Sequence, residues 1–568
     1  MAINPAAVGT SAYELLDGSV SSFYADVDEA ISASEVVKGQ YRMTINPAYN
    51  SPNPVDSNSF TTVGLTQSGP MVVDLENSFI STTIKLEIKP SADLLQATTA
   101  AVNADLANGE AGRIGGKTAS GMFFGWKRAV EAIERYDILV NSTPIYTQSF
   151  CGEESFVMGQ VENDLVRKKS PFMTSTYNNI INMDPSVCGT YVVFGPTAGA
   201  AGTTILDATK PFIVQIPIKI PVASFPLLKN LKYLLSWMGK WELRLYFSAQ
   251  NMICCPIPQD VLYSKVAGIA PSALLKREHC KITQMGMNTC VIQANANSNN
   301  VAALANNYYF SVITMTMMDV SMNTAQFQIR MDILEMLKQK YMMEKPLTFP
   351  VSSFQIARFT GPPQQGQPLS IVLCQAINNC DTLFVLPFED ARMHTVCHNP
   401  LITSLQLHAG EYGAYPTQPF NTFADYGKEN MRFVNAIMDA LNVNGSELTS
   451  MNEDVLTAFV PVPMTIKIVS NADGQVNAGS RLSFTGNTVT YDDSNFFIPF
   501  PFSTDDDFQG GMSSPSSNIN FKLTGNVTTT VAQTTPWVAA FLIDGVIMIR
   551  PDPGSDAAKV IWSDRTVC

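Results

Sequence analysis

The chain has 568 residues and a formal net charge of −13, with 36 Lys and Arg against 49 Asp and Glu. This balance argues against a surface that wraps a nucleic-acid backbone, because phosphate binding requires positive charge. Hydrophobic residues make up 46% of the chain but charged residues only 15%, below the roughly 25% of typical soluble domains. The length predicts two to four domains, and the weakly charged surface favours a protein covered by its neighbours.

The N-terminal segment, residues 1–37, has the opposite charge to an arm that binds nucleic acid. It contains no Lys or Arg, whereas such arms are basic. Its carboxylates are Glu14, Asp17, Asp26, Asp28, Glu29 and Glu35, and its apolar residues include Tyr13, Leu15, Leu16, Phe23, Tyr24 and Val27. Two interpretations remain open: a solvated terminus, or a short amphipathic clamp that docks on a partner protein and not on DNA.

One arrangement of strands occurs twice in the chain. In the first half, the Pro-punctuated run PFIVQIPIKIP (211–221) is followed by a connection and by KWELRLYFS (240–248). In the second half, NFFIPFPFSTDDDFQGG (495–511) is followed by SNINFKLTG (517–525). Alternation with period two indicates strands that have one face in a core. The repeated order predicts two related β domains.

Strands dominate the rest of the chain, and helices are predicted only at 121–136, 226–238, 325–343 and 429–441. These helices do not alternate with strands, which argues against a parallel βαβ architecture. The pattern favours an all-β fold with inserted helices, made of antiparallel jelly rolls. The predicted strands are 40–47, 71–75, 79–89, 137–147, 190–195, 211–220, 241–248, 281–293, 308–322, 347–359, 369–377, 382–388, 402–408, 458–469, 480–491, 495–502, 518–531 and 537–550.

The natural domain boundary falls at 338–350. A predicted helix ends there, a basic cluster appears, and a strand begins after Pro346. We therefore predict four segments: an N-terminal arm (1–39), a first jelly roll with helical insertions (40–345), a second jelly roll (346–555) and a C-terminal tail (556–568).

Nothing in the sequence has the pattern of a signal peptide or of a membrane-spanning helix. The nearest approach is the apolar run 537–549, which Asp544-Gly545 interrupts. We interpret this pair as a hairpin turn between two strands. The ten Cys show no regular spacing, and this favours reduced, mostly buried thiols of an intracellular fold.

Residues 111–118 (AGRIGGKT) match a relaxed phosphate-binding loop that contains Lys117. Such a loop requires a buried strand before it and a helix N-terminus after it. A helix could follow at 121–136, but the preceding segment is not a buried strand. A Gly-rich surface loop is therefore the favoured interpretation.

Two further groups contain residue types that bind metals. Soft ligands for zinc occur without the spacing of a familiar zinc module, and acidic clusters could bind a hard cation. Ordinary strand, loop and solvated positions are the favoured interpretation of both groups. Their members are His394, Cys397 and His398 with Cys374 and Cys380, and the runs Asp492-Asp493 and Asp505-Asp506-Asp507.

No catalytic constellation is visible in the sequence. Only four His are present, and no carboxylate pair or Ser/His grouping has the form of an acid–base site. Asn141, Asn444 and Asn526 begin N-x-[ST] sequons, which have little meaning without a secretory route. The sequence therefore predicts no catalytic, cofactor-binding or metal-binding residues, and no enzyme activity.

Several segments together resemble a known family. They are VDLENSFISTTIKLEI (73–88), FIVQIPIKIP followed by a helix and WELRLYFS, TLFVLPFED (382–390), NPLITSLQLHAGEYGAYPTQPFNTF (399–423) and FFIPFPFSTDDDFQGG (496–511). In these the chain resembles the double jelly-roll major capsid proteins of tailless icosahedral double-stranded-DNA viruses. The pattern is that of virophages and Polinton-like viruses in the wider adenovirus lineage. The resemblance covers most of residues 40–550 as an order of strands and loops.

The resemblance implies two eight-stranded jelly rolls side by side, and homotrimers of pseudo-hexameric outline that tile an icosahedral shell. The implied partners are other copies of the chain, minor capsid proteins and penton proteins, with no specific nucleic acid and no membrane insertion. The implied location is the virion, assembled inside the host cell. The acidic segment 1–37 is then expected on the inner side of the shell, docked on neighbouring subunits or on a basic minor protein.

Two other functions stay open. A polysaccharide-active β enzyme requires paired acids in an aromatic-lined groove. A receptor-binding or glycan-binding attachment protein is expected to show repeats or a coiled-coil stem. Neither signal is present in the sequence.

Overall fold

The computed structural model describes 26 separate stretches of the chain, and every structural statement below refers to them. They are residues 11–32, 41–45, 60–66, 69–90, 120–126, 128–161, 189–195, 204–205, 211–248, 252–257, 281–285, 289–293, 308–344, 347–359, 368–373, 377–388, 402–409, 413–422, 432–433, 436–437, 440, 496–502, 512–514, 521–527, 537–551 and 558–563.

Helices are few in the described part of the chain. They are α1 (Ser11–Ser32), α2 (Cys151–Val161), α3 (Pro226–Lys229) and α4 (Met331–Lys338), and residues 432–433, 436–437 and 440 are also helical. A π-helical turn, Gln339–Glu344, continues α4. Short 3₁₀ turns occur at Ala129–Ala132, Val222–Ser224 and Ser236–Met238.

Strands make up most of the described structure. The first half contains β1 (Tyr41–Ile45), β2 (Thr61–Gly64), β3 (Met71–Pro90), β4 (Ser120–Gly125), β5 (Ile133–Val140), β6 (Thr143–Gln148), β7 (Gly189–Gly195), β8 (Thr204–Ile205), β9 (Phe212–Pro221), β10 (Tyr233–Leu235), β11 (Trp241–Phe247), β12 (Ile253–Ile257), β13 (Lys281–Met285), β14 (Thr289–Gln293) and β15 (Tyr308–Gln328). The second half contains β16 (Leu347–Phe359), β17 (Pro368–Leu373), β18 (Ile377–Leu386), β19 (Ile402–Ala409), β20 (Ala414–Phe420), β21 (Ile498–Pro501), β22 (Met512–Ser514), β23 (Phe521–Val527), β24 (Trp537–Pro551) and β25 (Ala558–Ser563).

The second half of the chain forms a jelly roll, which we call the second sandwich. One sheet has the order β16-β24-β18-β21 and the other has the order β17-β23-β19-β20. Numbered along the chain from β16 to β24, and leaving out β22, these eight strands alternate between the sheets as first-eighth-third-sixth and second-seventh-fourth-fifth. This is the connectivity of an antiparallel jelly roll.

The first half repeats the same connectivity, and we call it the first sandwich. Its sheets contain β1-β15-β3-β9 and β2-β11-β5-β6, again first-eighth-third-sixth and second-seventh-fourth-fifth. The remaining strands are additions, with β12-β4-β7-β8 forming a separate small sheet. Every described strand pair is antiparallel except the two-residue pair of β7 with β8. The predicted fold class, all-β with inserted helices and two antiparallel jelly rolls, is confirmed.

Period-two alternation places one face of each strand in a core, as predicted. Along β9, Phe212, Val214, Ile216, Ile218 and Ile220 are buried, while the intervening residues are exposed or half-buried. The strand β11 has the same pattern. Each sandwich has its own hydrophobic core, because the apolar faces of its two sheets meet.

Some segments lie in the core of the other sandwich. Leu347, Phe349 and Val351 of β16 are buried in the first core, as are Ile547 and Ile549 of β24. In the opposite direction, α2 from the first half places its segment 156–158 in the second core. The two sandwiches are therefore joined by exchanged core residues and not only by a linker.

Two of the four predicted helices are largely wrong. The described residues of 121–136 form most of β4, a 3₁₀ turn and the start of β5, because β4 and β5 each pair with a neighbouring strand. Residues 226–238 form only the one-turn α3, followed by β10 and a 3₁₀ turn. The apolar residues of both segments follow helical spacing. A segment that is buried on several sides can show this spacing whether it is a helix or a strand.

The other two predicted helices are partly right. In 325–343 the strand β15 continues to Gln328 and the helix begins at Met331. In 429–441 the described residues are helical, and Phe433 and Ile437 are buried in the second core. The predicted strands 458–469 and 480–491 lie outside the described residues.

The predicted hairpin turn at Asp544-Gly545 is wrong. The strand β24 continues through this pair, and it is antiparallel to β16 from Leu347 opposite Ile549 to Phe359 opposite Trp537. The interruption in the apolar run marks a change of neighbour and not a turn. On its other edge β24 pairs with β18 before Asp544 and with β25 after Gly545.

Replacing Gly525 of β23 by Ala is expected to lower the free energy of unfolding by about 1–3 kcal/mol, the usual cost of overpacking. A Cβ at this position would lie 2.7 Å from Ile402 Cγ2 and 3.3 Å from the carbonyl oxygen of Thr403. The control is Gly64→Ala on β2, where the added methyl group meets no atom within 4 Å. Denaturant unfolding measures both variants, and equal midpoints would contradict the expected crowding.

Candidate functional site at the junction of the two sandwiches

Few of the residues singled out from the sequence lie in the described part of the chain. Cys380 is buried on β18, and burial raises the pKa of its thiol. Asn526 is exposed at the end of β23. Among the described residues, no group of three or more His, Cys, Asp or Glu is placed to hold a metal ion. The candidates outside those residues are 111–118, Cys374, His394, Cys397, His398, Asn444, Asp492-Asp493 and Asp505-Asp506-Asp507.

Asn141 has a structural role at the boundary between the sandwiches. It occupies the turn between β5 and β6 with a φ of 50°, a conformation that Asn tolerates better than most residues. Its Oδ1 accepts a hydrogen bond from the Lys240 backbone N–H at 2.9 Å, and its Nδ2 donates to the Ala558 carbonyl at 2.9 Å. The side-chain amide therefore links the first sandwich to β25.

The acidic N-terminal helix α1 packs on this junction. Phe23 and Val27 are fully buried, and Val20 and Ala30 are nearly so. The ring of Phe23 lies edge-on to three rings that come from distant parts of the chain. Its centroid lies 5.2 Å from that of Tyr341, 5.8 Å from that of Phe349 and 6.5 Å from that of Trp237. The Phe23 ring thus contacts Trp237 in the first half, Tyr341 in the π-helical turn Gln339–Glu344 and Phe349 on β16.

Polar contacts surround the apolar face of α1. The Lys340 Nζ lies 2.6 Å from Asp26 Oδ2, and the Lys232 Nζ lies 3.2 Å from Asp28 Oδ2. Tyr24 donates to the Asn230 carbonyl at 2.7 Å. The two ion pairs are exposed and contribute about 0.2–1 kcal/mol each. Burial of the helix face dominates, because a fully buried aromatic residue contributes more than such a pair.

Three tyrosines hold this arrangement at neutral pH. Tyr341 donates to Asp26, Tyr233 donates to Asp28, and Tyr24 donates to a backbone carbonyl. Burial is the largest cause that raises the pKa of each hydroxyl to about 12. All three therefore remain protonated donors across the physiological range.

These contacts correct the hypothesis for residues 20–32, whereas Tyr13, Leu15 and Leu16 lie outside the side chains that the structure describes. The sequence assigned the apolar face of this segment to a neighbouring subunit or a basic minor protein. In the structure the same chain covers Val20, Phe23 and Val27, and the basic groups facing Asp26 and Asp28 are its own lysines. The physical reason is that this chain brings an aromatic pocket and two lysines to one place at the junction.

A second set of contacts at the junction centres on Glu154 of α2. Tyr136 donates to its two carboxyl oxygens at 2.9 and 3.1 Å, and the Gln148 Nε2 lies 3.2 Å from its Oε1. The same Gln148 nitrogen donates to the Phe354 carbonyl of β16 at 3.0 Å, and Tyr146 donates to that carbonyl at 3.3 Å. Burial raises the pKa of Glu154 to about 8.

Asp544 of β24 contacts β16 directly, on the edge where the two strands pair. The Ser352 Oγ lies 3.2 Å from its Oδ1, and the Asn379 Nδ2 donates to its backbone carbonyl at 3.2 Å. Its side chain is buried at the point where the strand that pairs with this edge of β24 changes from β18 to β25. Burial, with a further contribution from Asp381, raises the pKa of Asp544 to about 7.

Sequence reasoning missed both carboxyl groups. Glu153-Glu154 lies inside the apolar and small residues of CGEESFVM, and such a context could have marked the pair as buried. Glu153 is also buried and forms an ion pair with Arg358 of β16 at 2.7 Å. Buried acids of this kind need hydrogen bonds or a cation. The strand β16 provides a cation, Arg358, for Glu153 and a hydrogen-bond donor, Ser352, for Asp544.

The outer face of the first sandwich carries an aromatic and basic cluster. Asp137 accepts from Arg135 at 3.0 Å and lies 3.8 Å from Arg244. The guanidinium of Arg135 lies 4.9 Å from the ring centroid of Tyr246, and that of Arg244 lies 4.7 Å from the ring centroid of Phe60. Phe60 is 48% exposed. The cluster has the residue types that are enriched in protein interfaces.

None of the described helices is both long enough and apolar enough to span a membrane.

Comparison with known proteins gives structural matches only. No protein-family model matches the chain, and the search of curated proteins found no significant match. The mavirus major capsid protein matches at 10% identity and a TM-score of 0.42, covering 94% of this chain and 92% of that one. The Faustovirus major capsid protein matches at 8% identity and a TM-score of 0.40, covering 96% and 99%. A chain of the Sputnik virophage matches at 10% identity and a TM-score of 0.40, covering 94% and 92%.

Proposed function

We propose that this chain is a viral major capsid protein, located in the virion. The observation that carries the proposal is the jelly-roll strand order, which occurs twice in one polypeptide. The sequence resemblance to double jelly-roll capsid proteins also supports it. We also propose that the first jelly roll comprises residues 40–345 and the second 346–555, with α1 and β25 packed against them.

The physical logic of this function follows from the duplication. A subunit with two similar lobes gives six similar lobes when three copies assemble around an axis. Such a trimer has a nearly hexagonal outline and can tile a closed surface, because symmetry lets one sequence make many equivalent contacts. The exchanged core residues support this role, since they fix the two lobes as one building block.

Surface features also support self-assembly. The cluster around Phe60 and Arg244 is partly exposed, and Met331 and Met336 of α4 are 56% and 60% exposed. We propose copies of the chain, minor capsid proteins and penton proteins as partners. We propose no specific binding of nucleic acid, in line with the acidic balance of the chain. We also propose no membrane insertion and no enzyme activity.

The purified full chain is expected to form trimers and, under assembly conditions, closed shells. Native mass spectrometry should give three times the 61.9 kDa mass of one chain, and electron microscopy should show hexagonally packed particles. A monomer that forms no particles would contradict the proposal. Monomers that bind or hydrolyse glycans would favour the attachment-protein or enzyme alternative.

A further inference from the structure

We propose that the junction between the two sandwiches is an alkaline-sensitive lock, in which segment 352–354 of β16 is bound on one side to Asp544 and on the other side, through Gln148, to Glu154, and loosens when both carboxyl groups ionise. This inference goes beyond the proposed capsid function and does not depend on it.

The geometry links both acids to the same three-residue segment of one strand, Asp544 directly and Glu154 through Gln148. On one side, Gln148 and Tyr146 donate to the Phe354 carbonyl, and Gln148 also contacts Glu154. On the other side, Ser352 contacts Asp544, and the two residues are directly opposite each other in the sheet. Because β16 contributes residues to both cores, movement of this segment would loosen both sandwiches at their contact.

The surroundings of Glu154 contain more acids than bases. The ionisable groups that interact with it are Cys151 on α2, Tyr136 on β5 and Tyr146 on β6, and Glu131 on the 3₁₀ turn and Glu153 on α2 lie near Cys151. Two cations lie nearby but are engaged elsewhere. Arg358 forms an ion pair with Glu153, and Arg128 donates to the Ser155 carbonyl.

The surroundings of Asp544 are similar. Asp381 and Cys380 on β18 face it, and Ser352 on β16 is its side-chain hydrogen-bond donor. Among the ion pairs of the described residues, neither Glu154 nor Asp544 has a Lys or Arg partner. Ionisation would therefore leave two buried charges without a cation on either side of β16, an arrangement that is strongly unfavourable.

The direction of the pH effect follows from the raised pKa values. For Glu154 the pKa rises from 4.5 to about 8, and for Asp544 from 3.8 to about 7. A group with a raised folded-state pKa stabilises the protein fully below its ordinary pKa and loses that stabilisation as pH rises to the folded value. Each carboxyl group thus changes the unfolding equilibrium constant by up to about tenfold per pH unit in its interval.

Hydrogen–deuterium exchange on the full chain at pH 6 and pH 9, corrected for the intrinsic exchange rate, tests the lock. In the wild type, protection of β16 and α2 is expected to fall at least tenfold at pH 9. Protection of β19 and β23, which lie in the sheet of the second sandwich that does not contain β16, is expected to change little. The double variant Glu154→Gln, Asp544→Asn should keep its protection at pH 9, because neutral amides replace both acids.

Glu335→Gln is the matched control, since Glu335 is an exposed carboxylate on α4. It should follow the wild type. The same loss of protection in the double variant would overturn the proposal. If the double variant does not fold, the wild type decides alone: protection of β16 and α2 that is unchanged at pH 9, or that falls no more than in β19 and β23, would also overturn it.

Discussion

Replacing Phe23 by Ala is expected to lower the free energy of unfolding by about 3–5 kcal/mol, the range for truncating a fully buried aromatic residue. The side chain has no exposed surface. It contacts the rings of Trp237 in the first half, Tyr341 in the π-helical turn and Phe349 on β16. Its removal would leave a cavity where the two sandwiches meet. Chemical denaturation followed by tryptophan fluorescence measures the change.

The control for this prediction is Glu29→Ala on the same helix. Glu29 is exposed, so its substitution should change stability by no more than about 0.5 kcal/mol. A chain lacking residues 1–32 should be destabilised at least as much as Phe23→Ala. If that truncated chain unfolds at the same denaturant concentration as the full chain, α1 does not hold the junction, and the hypothesis of an arm that serves only other subunits regains support.

The amphipathic character of α1 was predictable, but its destination was not. Phe23, Tyr24 and Val27 stand out among acids in the sequence. The groups that receive them, such as Asn230, lie more than 200 residues further along the chain. A single sequence contains no signal for such distant pairing. The excess of acids therefore suggested a basic partner in another molecule. In the structure, two lysines of the same chain pair with Asp26 and Asp28.

Strands were predicted better than helices for a physical reason. Alternation along β9 and β11 requires one buried and one outward face, and few other structures give that pattern. The helix predicted at 121–136 followed a stripe of apolar residues that includes Trp126, Val130 and Ile133. All three are buried, so their spacing reflects burial in an irregular strand–turn–strand segment. An apolar stripe indicates a helix only when its other face is solvated.

The junction was the part of the molecule least visible in the sequence. Glu153-Glu154 and Asp544-Gly545 have the residue types of solvated loops and turns, and the second pair was interpreted in that way. The pairing of β16 with β24 over thirteen residues buries Asp544 inside a sheet. Long-range strand pairing thus overrides local turn chemistry. The strand order within each half, in contrast, left a repeated pattern that could be recognised.

Replacing Phe349 by Ala is expected to destabilise the first sandwich by about 3–5 kcal/mol, although Phe349 belongs to a strand of the second. Its side chain is fully buried in the first core, with its ring centroid 5.8 Å from that of Phe23. Phe384 on β18 is equally buried in the second core, so Phe384→Ala is the matched variant. Hydrogen–deuterium exchange of β11 and β23 reports on the two cores separately.

The two variants should have opposite effects on the two reporters. Phe349→Ala should reduce the protection of β11 more than that of β23, and Phe384→Ala should do the reverse. Because Phe23 and Phe349 are in contact, their double variant should cost less than the sum of the single changes, with a coupling of about 0.5–1.5 kcal/mol. If Phe349→Ala lowers the protection of β23 and leaves that of β11 unchanged, β16 stabilises only the second sandwich. If β11 weakens as expected, the first sandwich depends for its stability on a strand of the second, and the two jelly rolls stabilise each other as one unit.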